Sequence, residues 1–359
     1  MQKAFDRVDL VKLFNKLLCR SLPVYIIRVL FLLYSNLKLC VFWNGSLSEP
    51  FVSLNGVKQG GILSPFLFCV FINDLLLGLQ NLRLGCYVGH VFYGCIAYAD
   101  DIMLLAPTVF ALRHMLTFCT NFANDNNILF NPNKSHCIKF SRSPVTVQQF
   151  NVILQGEPLT WVDKIIHLGH VLSVSNDDAP DTQQRFGAFC SQINYFIAHF
   201  GHLPLVLKYK LFNNYCLSLY GCQLWNMSHK DIGFFYVAWR KAVRRVWNLP
   251  YRTHTALLPF FADGKNFCTI LHSRFVHFAQ SCIHSSNKCI SFISFVACHS
   301  MLHNFGVNWY SANQPLPRPS ISLLASVASE LLFVRNNLFD VNLSNDEVDD
   351  LFFYLCCKM

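Results

Sequence analysis

At 359 residues the chain has room for two or three domains and a sizeable core. Its net charge of +9 is uneven, with 11 Lys/Arg against 2 Asp/Glu in residues 201–290, as a phosphate-binding surface would have it. The 16 cysteines form no Cys-x-x-Cys pair and no secretory signal is read at the N-terminus, which argues against a secreted disulfide scaffold and for reduced thiols in a nuclear or cytoplasmic setting.

In chain order, the first informative stretch is Gly56-Val57-Lys58-Gln59-Gly60-Gly61-Ile62-Leu63-Ser64-Pro65. Gly60-Gly61 permits close backbone approaches, and Ser64-Pro65 reads as N-cap and N1 of an apolar helix running to about Gly78. Lys58 and Gln59 on such a loop suit a phosphate or base edge, but spacing alone favours a Gly-rich turn into a core helix. Next, Tyr98-Ala99-Asp100-Asp101 separates two apolar runs of strand character, 91–97 and 102–106. It predicts a hairpin with both carboxylates at the tip, because unpaired charges are expensive to bury. Adjacent like charges call for a balancing cation, such as the paired metals of phosphoryl transfer; a plain exposed turn is the other reading. An amphipathic helix is predicted from Thr108 to about Ala123.

Asn176-Asp177-Asp178-Ala179-Pro180-Asp181 reads as a polar break, and residues 182 to about 260 as helical. There, Arg240, Lys241, Arg244 and Arg245 recur at i, i+1, i+4 and i+5 on one predicted helix face, opposite Trp239, Ala242, Val243 and Val246. Such a face suits a nucleic-acid backbone, or is the solvated side of a core helix. Further on come a Pro-rich linker at Pro315–Pro319, a helical pattern over Ser322–Asn336 and an acidic stretch around Asp346–Asp350. Mean hydropathy is +0.33. The longest run free of Lys, Arg, Asp and Glu, 289–317, is interrupted by His, Asn and two prolines, so no transmembrane span is predicted.

Taken in order, these segments resemble reverse transcriptases, particularly those of LINE-type (non-LTR) retrotransposons. Residues 56–75, through Phe71-Ile72-Asn73-Asp74-Leu75, are similar to the family's motif B, and Tyr98 to Asp101 to its motif C. Ile128-Leu129-Phe130-Asn131-Pro132-Asn133-Lys134 resembles its Leu-x-x-Asn-x-x-Lys element, with Ile128 replacing the Leu. Ile166-His167-Leu168-Gly169-His170-Val171 looks like the Leu-Gly strand pair called motif E. Lys3-Ala4-Phe5-Asp6 reproduces the second half of motif A, Asp-x-x-Lys-Ala-Phe-Asp, whose leading metal-holding Asp would fall one residue before Met1.

The resemblance implies an RNA-directed DNA polymerase using two Mg²⁺ ions, with Asp100 and Asp101 as metal-holding catalytic residues and one arm of an incomplete clamp. It implies Lys134 as proton donor to the leaving pyrophosphate, Phe5 as the screen against a nucleotide 2′-hydroxyl, and Gln59, Gly60 and Tyr98 as substrate contacts. Leu168 and Gly169 correspond to the primer grip, and the helix of Arg240, Lys241, Arg244 and Arg245 to a thumb that follows the template–primer duplex. Without the resemblance, Phe5 reads as a core aromatic, Lys134 as a solvated loop lysine and Gly169 as an ordinary strand glycine. The expected architecture is α+β: an incomplete palm lacking fingers over residues 1–175, a helical basic thumb over 176–260, and a mainly helical C-terminal region over 261–359. Expected partners are an RNA template, a DNA primer and deoxynucleoside triphosphates, with no membrane. The alternative is an inactive remnant that binds RNA or RNA–DNA duplex.

Overall fold

A computed structural model describes residues 1, 3–35, 37–140, 150–227, 230–261, 266–299, 308 and 353–357. The features expected at Pro315–Pro319, Ser322–Asn336 and Asp346–Asp350 lie outside them. The chain divides into two compact units, one holding Met1–Ile165 with the strand Phe353–Cys357, the other beginning at Ile166.

The first unit opens with a short 3-10 turn, Phe5–Arg7, and two helices, α1 (Leu10–Cys19) and α2 (Val24–Ser35). Asp9 caps α1 by accepting the Lys12 N–H at 3.0 Å, and Leu10, Leu13, Phe14 and Leu17 recur at helical spacing on its buried face. α3 (Ser64–Asn81) runs through this unit's core and buries Leu67, Phe68, Phe71, Ile72, Leu75 and Leu79, each side chain contributing about 1.5–3 kcal/mol. Among the described residues it is the one helix long and apolar enough to cross a membrane, and here that apolar character packs the core. Ser64 is not its cap. Leu63 holds that position, while the Ser64 hydroxyl donates to the Lys58 carbonyl and fastens the preceding loop. The helix also continues past Gly78 to Asn81, because burial of Leu79 outweighs the roughly 1 kcal/mol a helical glycine costs.

Five strands form the central sheet, in the order Thr160–Trp161, His136–Phe140, Phe353–Cys357, Asp101–Ala106, Cys95–Tyr98. Phe353–Cys357 is antiparallel to both neighbours, with Leu355 opposite Leu105 on one side and Ile138 on the other. The expected strand over 91–97 is two pieces: Val91–Phe92 pairs with Tyr87–Val88, and Cys95–Tyr98 with Asp101–Ala106. α4 (Val109–Asn126) packs against the Asp101–Ala106 strand. Thr108 caps it by accepting Ala111 N–H at 3.1 Å, and it outruns Ala123 to end on a left-handed Asn127. This mixture of helix and sheet agrees with the expected α+β class.

The hairpin Lys164–His167 with His170–Ser173 leads into the second unit, which is otherwise helical. Its helices are α5 (Ala179–Phe200), α6 (Leu205–Leu211), α7 (Lys230–Val246), α8 (Phe267–Ile283) and α9 (Lys288–Cys298). Aromatic rings fill the core: Phe189, Phe196, Phe212, Trp225, Phe235, Trp239 and Phe267 are buried together, and Phe235 stacks on Phe267 at 5.9 Å. Burial pushes the thiols of Cys95, Cys216 and Cys298 up to about 12, so they serve as packing groups and not as nucleophiles.

Candidate active site and nucleic-acid face

The strands Cys95–Tyr98 and Asp101–Ala106 are joined by a two-residue turn, Ala99-Asp100, with Ala99 in the left-handed region at φ 51. Only Asp100 therefore sits in the turn. Asp101 opens the second strand opposite Tyr98, so the two carboxylates differ in backbone setting although both are partly exposed. Tyr98 is 68% exposed. The Met1 amino group donates to the Asp100 carbonyl at 3.3 Å and lies 4.0 Å from its carboxylate.

The chain then passes from this hairpin to the Gly56–Pro65 loop within eight residues. Val57 N–H donates to the Phe5 carbonyl and Gly56 N–H to the Val8 carbonyl, both at 2.8 Å. Gly56 has φ 92, and a Cβ there would lie 2.8 Å from Asp6 Cα and 2.9 Å from the Phe5 carbonyl, so the two backbones meet only because this residue is glycine. Phe5 is half-buried with its ring stacked on Phe68 at 5.0 Å, which joins the core reading of Phe5 to an edge that remains accessible. Gln59 is exposed and donates to Asp6 Oδ1 at 3.3 Å; exposed Gly60 has φ 78. Lys134 is exposed on the 3-10 turn Pro132–Lys134 and forms no ion pair with Asp100 or Asp101. Among the described residues no group of three His, Cys, Asp or Glu side chains is placed to hold a metal. Asp100 and Asp101 are therefore two adjacent carboxylates with no third such side chain grouped beside them among the described residues.

In the second unit, Leu168 and Gly169 are not strand residues. They form the turn of the hairpin, at φ 47 and φ 78, with Leu168 37% exposed. The apolar face of α7 is as expected, since Trp239, Ala242, Val243 and Val246 are buried. Its four cations, however, do not act as one row. Arg240 lies over the Tyr236 ring at 4.5 Å, and half-buried Arg244 donates to the Thr253 carbonyl at 2.9 Å, tying down the segment after the helix. Lys241 and Arg245 are exposed, and Arg245 donates to Asn194 Oδ1 at 3.1 Å. They line an open groove of about 690 Å³ together with Arg244, Asn248, Leu249 and Tyr251.

Sequence reasoning missed Asp181. It reads as part of a polar break, yet it is 0% exposed in the first turn of α5. It accepts Trp225 Nε1–H at 2.7 Å and Val171 N–H at 3.0 Å, and His170 Nδ1 lies 3.1 Å away. Burial raises its pKa, but the hydrogen bonds from His170, Trp225 and Val171 outweigh that and hold it below the usual carboxylate value. No local signal marks it, because its partners come from distant parts of the chain.

Residues 1–172 match the family model described as reverse transcriptase (RNA-dependent DNA polymerase). The retrovirus-related Pol polyprotein from type-2 retrotransposable element R2DM of Drosophila melanogaster is 28% identical over 144 residues, covering 40% of this chain and 14% of that protein. The corresponding polyprotein from type-1 retrotransposable element R2 of Popillia japonica is 29% identical over 148 residues, 38% of this chain and 20% of its own length. That of Nasonia vitripennis is 28% identical over 141 residues, 38% and 13%. The chain spans a fifth or less of the length of these relatives.

Proposed function

We propose that residues 1–172 are a reverse transcriptase segment of the LINE (non-LTR) type and that this chain takes part in RNA-directed DNA synthesis, extending a DNA primer on an RNA template with deoxynucleoside triphosphates. The observation that carries the reading is the Asp100-Asp101 hairpin, with residues 1–8 running from Asp100 to the Gly56–Gln59 loop. In that reaction the primer 3′-hydroxyl attacks the α-phosphorus and pyrophosphate leaves. Mg²⁺, when bound, supplies charge neutralisation, and Asp100 and Asp101 are the residues that would hold it. Phe5, Gln59, Gly60 and Tyr98 face the nucleotide and template, Lys134 supplies a proton to the pyrophosphate, and Leu168-Gly169 bears on the primer.

A second reading has its own support in the exposed Lys241 and Arg245 of α7: the chain binds RNA or RNA–DNA duplex without extending it. Primer extension on an RNA template, with Asp100→Asn as control, separates the two. Metal-dependent extension lost in the variant eliminates the second reading, whereas duplex binding without extension supports it.

Under either reading Lys241 and Arg245 are the phosphate contacts of α7. Replacing both by Ala is expected to weaken duplex binding about tenfold at 0.1 M salt and to flatten the log–log salt dependence by about 2, one per lost contact. Arg244→Ala should instead lower the stability of the second unit by about 1–2 kcal/mol, through the lost bond to Thr253, and leave the salt slope nearly unchanged. Fluorescence anisotropy across a salt series, with thermal unfolding in parallel, checks both.

A further inference from the structure

A leucine in the left-handed region is strained, and such strain persists only where neighbouring groups fix the backbone. At the Leu168-Gly169 turn both carbonyls are fixed by side chains from elsewhere in the second unit. Tyr220 Oη–H donates to the Leu168 carbonyl at 2.8 Å, and Arg185 Nη2–H donates to the Gly169 carbonyl. The Arg185 guanidinium also lies over the Tyr220 ring at 5.3 Å, so the two donors brace each other. Behind them, Arg185 Nε is 3.9 Å from the buried Asp181 carboxylate, one turn earlier on α5. Asp181 in turn holds Val171 N–H and Trp225 Nε1–H, just beyond the turn and across the core. Gly169 is seated tightly: a Cβ there would be 3.3 Å from Tyr220 Cε1.

We propose that Arg185 and Tyr220, oriented through Asp181, are positioning residues that hold the Leu168-Gly169 turn in its strained shape so that it presents a fixed surface to the 3′ end of a DNA primer. The inference rests on the reverse transcriptase reading of this turn. Fixing both carbonyls leaves the Leu168 side chain outward and prevents the turn from relaxing when a nucleic-acid strand presses on it. The cation on Arg185 is spent on a carbonyl and a ring, which separates its role from phosphate binding by Lys241 and Arg245.

The test uses the full chain and an RNA template annealed to a recessed DNA primer carrying 2-aminopurine as its 3′-terminal base, with a fluorescein on the template end. Anisotropy reads duplex affinity, and 2-aminopurine emission reads how the primer terminus is held. Tyr220→Phe and Arg185→Ala are expected to lose at least half of the 2-aminopurine response while duplex Kd stays within about twofold. Arg185→Gln, which keeps a donor but no charge, should retain most of the response. Tyr220→Phe removes one hydroxyl from an exposed side chain, so its result stands even where Arg185→Ala impairs folding. An unchanged response in both Tyr220→Phe and Arg185→Ala overturns the positioning role. So does a weakened Kd in Arg185→Gln matching that of Arg185→Ala, which would make Arg185 a direct phosphate contact. Failure of the unaltered chain to bind the duplex overturns the reading beneath it and is seen before any variant is made.

Discussion

RNA-templated primer extension is expected to fall at least about 10³-fold when Asp101 is replaced by Asn, a loss of about 4 kcal/mol in transition-state stabilisation. Asn has nearly the shape of Asp, and Asp101 enters the sheet through backbone pairing with Tyr98, so the hairpin survives the change. What disappears is a charge beside Asp100, and a cation bound by one carboxylate is held far less well than by two. Asp100→Asn should reach the same floor, because either carboxylate alone leaves the cation short of ligands. Duplex affinity should stay within about twofold in both variants, since Lys241 and Arg245 are untouched. Extension that survives both substitutions would place the chemistry elsewhere in the molecule. The Met1 amino group, 4.0 Å from the Asp100 carboxylate, adds a second arm to the experiment. An Asp joined to that nitrogen moves the terminal ammonium one residue away and brings a third carboxylate toward the hairpin, so it should raise extension in the parent chain but not in Asp101→Asn.

The parts of this site that sequence could foretell are those whose geometry is local. Tyr98 to Asp101 declares a hairpin because two apolar runs flank a short polar turn, and that needs no information from elsewhere. The buried stripe of α7 follows from helical periodicity alone, so Trp239, Ala242, Val243 and Val246 fall where they should. Periodicity also puts Arg240, Lys241, Arg244 and Arg245 near one another, but it cannot say that the loop after α7 folds back to take Arg244 for the Thr253 carbonyl. Asp181 was illegible for the same reason: His170 and Trp225 become its neighbours only on folding. The strand Phe353–Cys357 is a further case. Its place between Asp101–Ala106 and His136–Phe140 depends on two partners remote in sequence, and a short apolar run carries no label for the sheet it joins.

Gly56→Ala is expected to damage the first unit, costing about 3 kcal/mol or more and lowering its Tm by about 6–12 °C. Two effects add. At φ 92 an L side chain strains its own backbone, and the new Cβ would meet Asp6 Cα and carbonyl oxygen at 2.8 Å and the Phe5 carbonyl at 2.9 Å. These are main-chain atoms, so no side-chain rotation relieves the clash, and the bonds from Gly56 to Val8 and from Val57 to Phe5 must lengthen or break. Gly60→Ala supplies the control. It shares the positive φ, at 78, but nothing lies within 4 Å of its Cβ, so only the strain of about 1 kcal/mol remains. Circular dichroism melts of the two variants should therefore differ by several degrees. A Gly56→Ala chain as stable as Gly60→Ala would mean that residues 5–8 do not pack on the loop as described. The functional consequence follows from the same contact. Phe5 is held between its backbone bond to Val57 and its ring stack on Phe68, so pushing this segment away displaces the residue proposed to face the nucleotide sugar. Gly56→Ala should then relax discrimination against ribonucleotides before the unit unfolds.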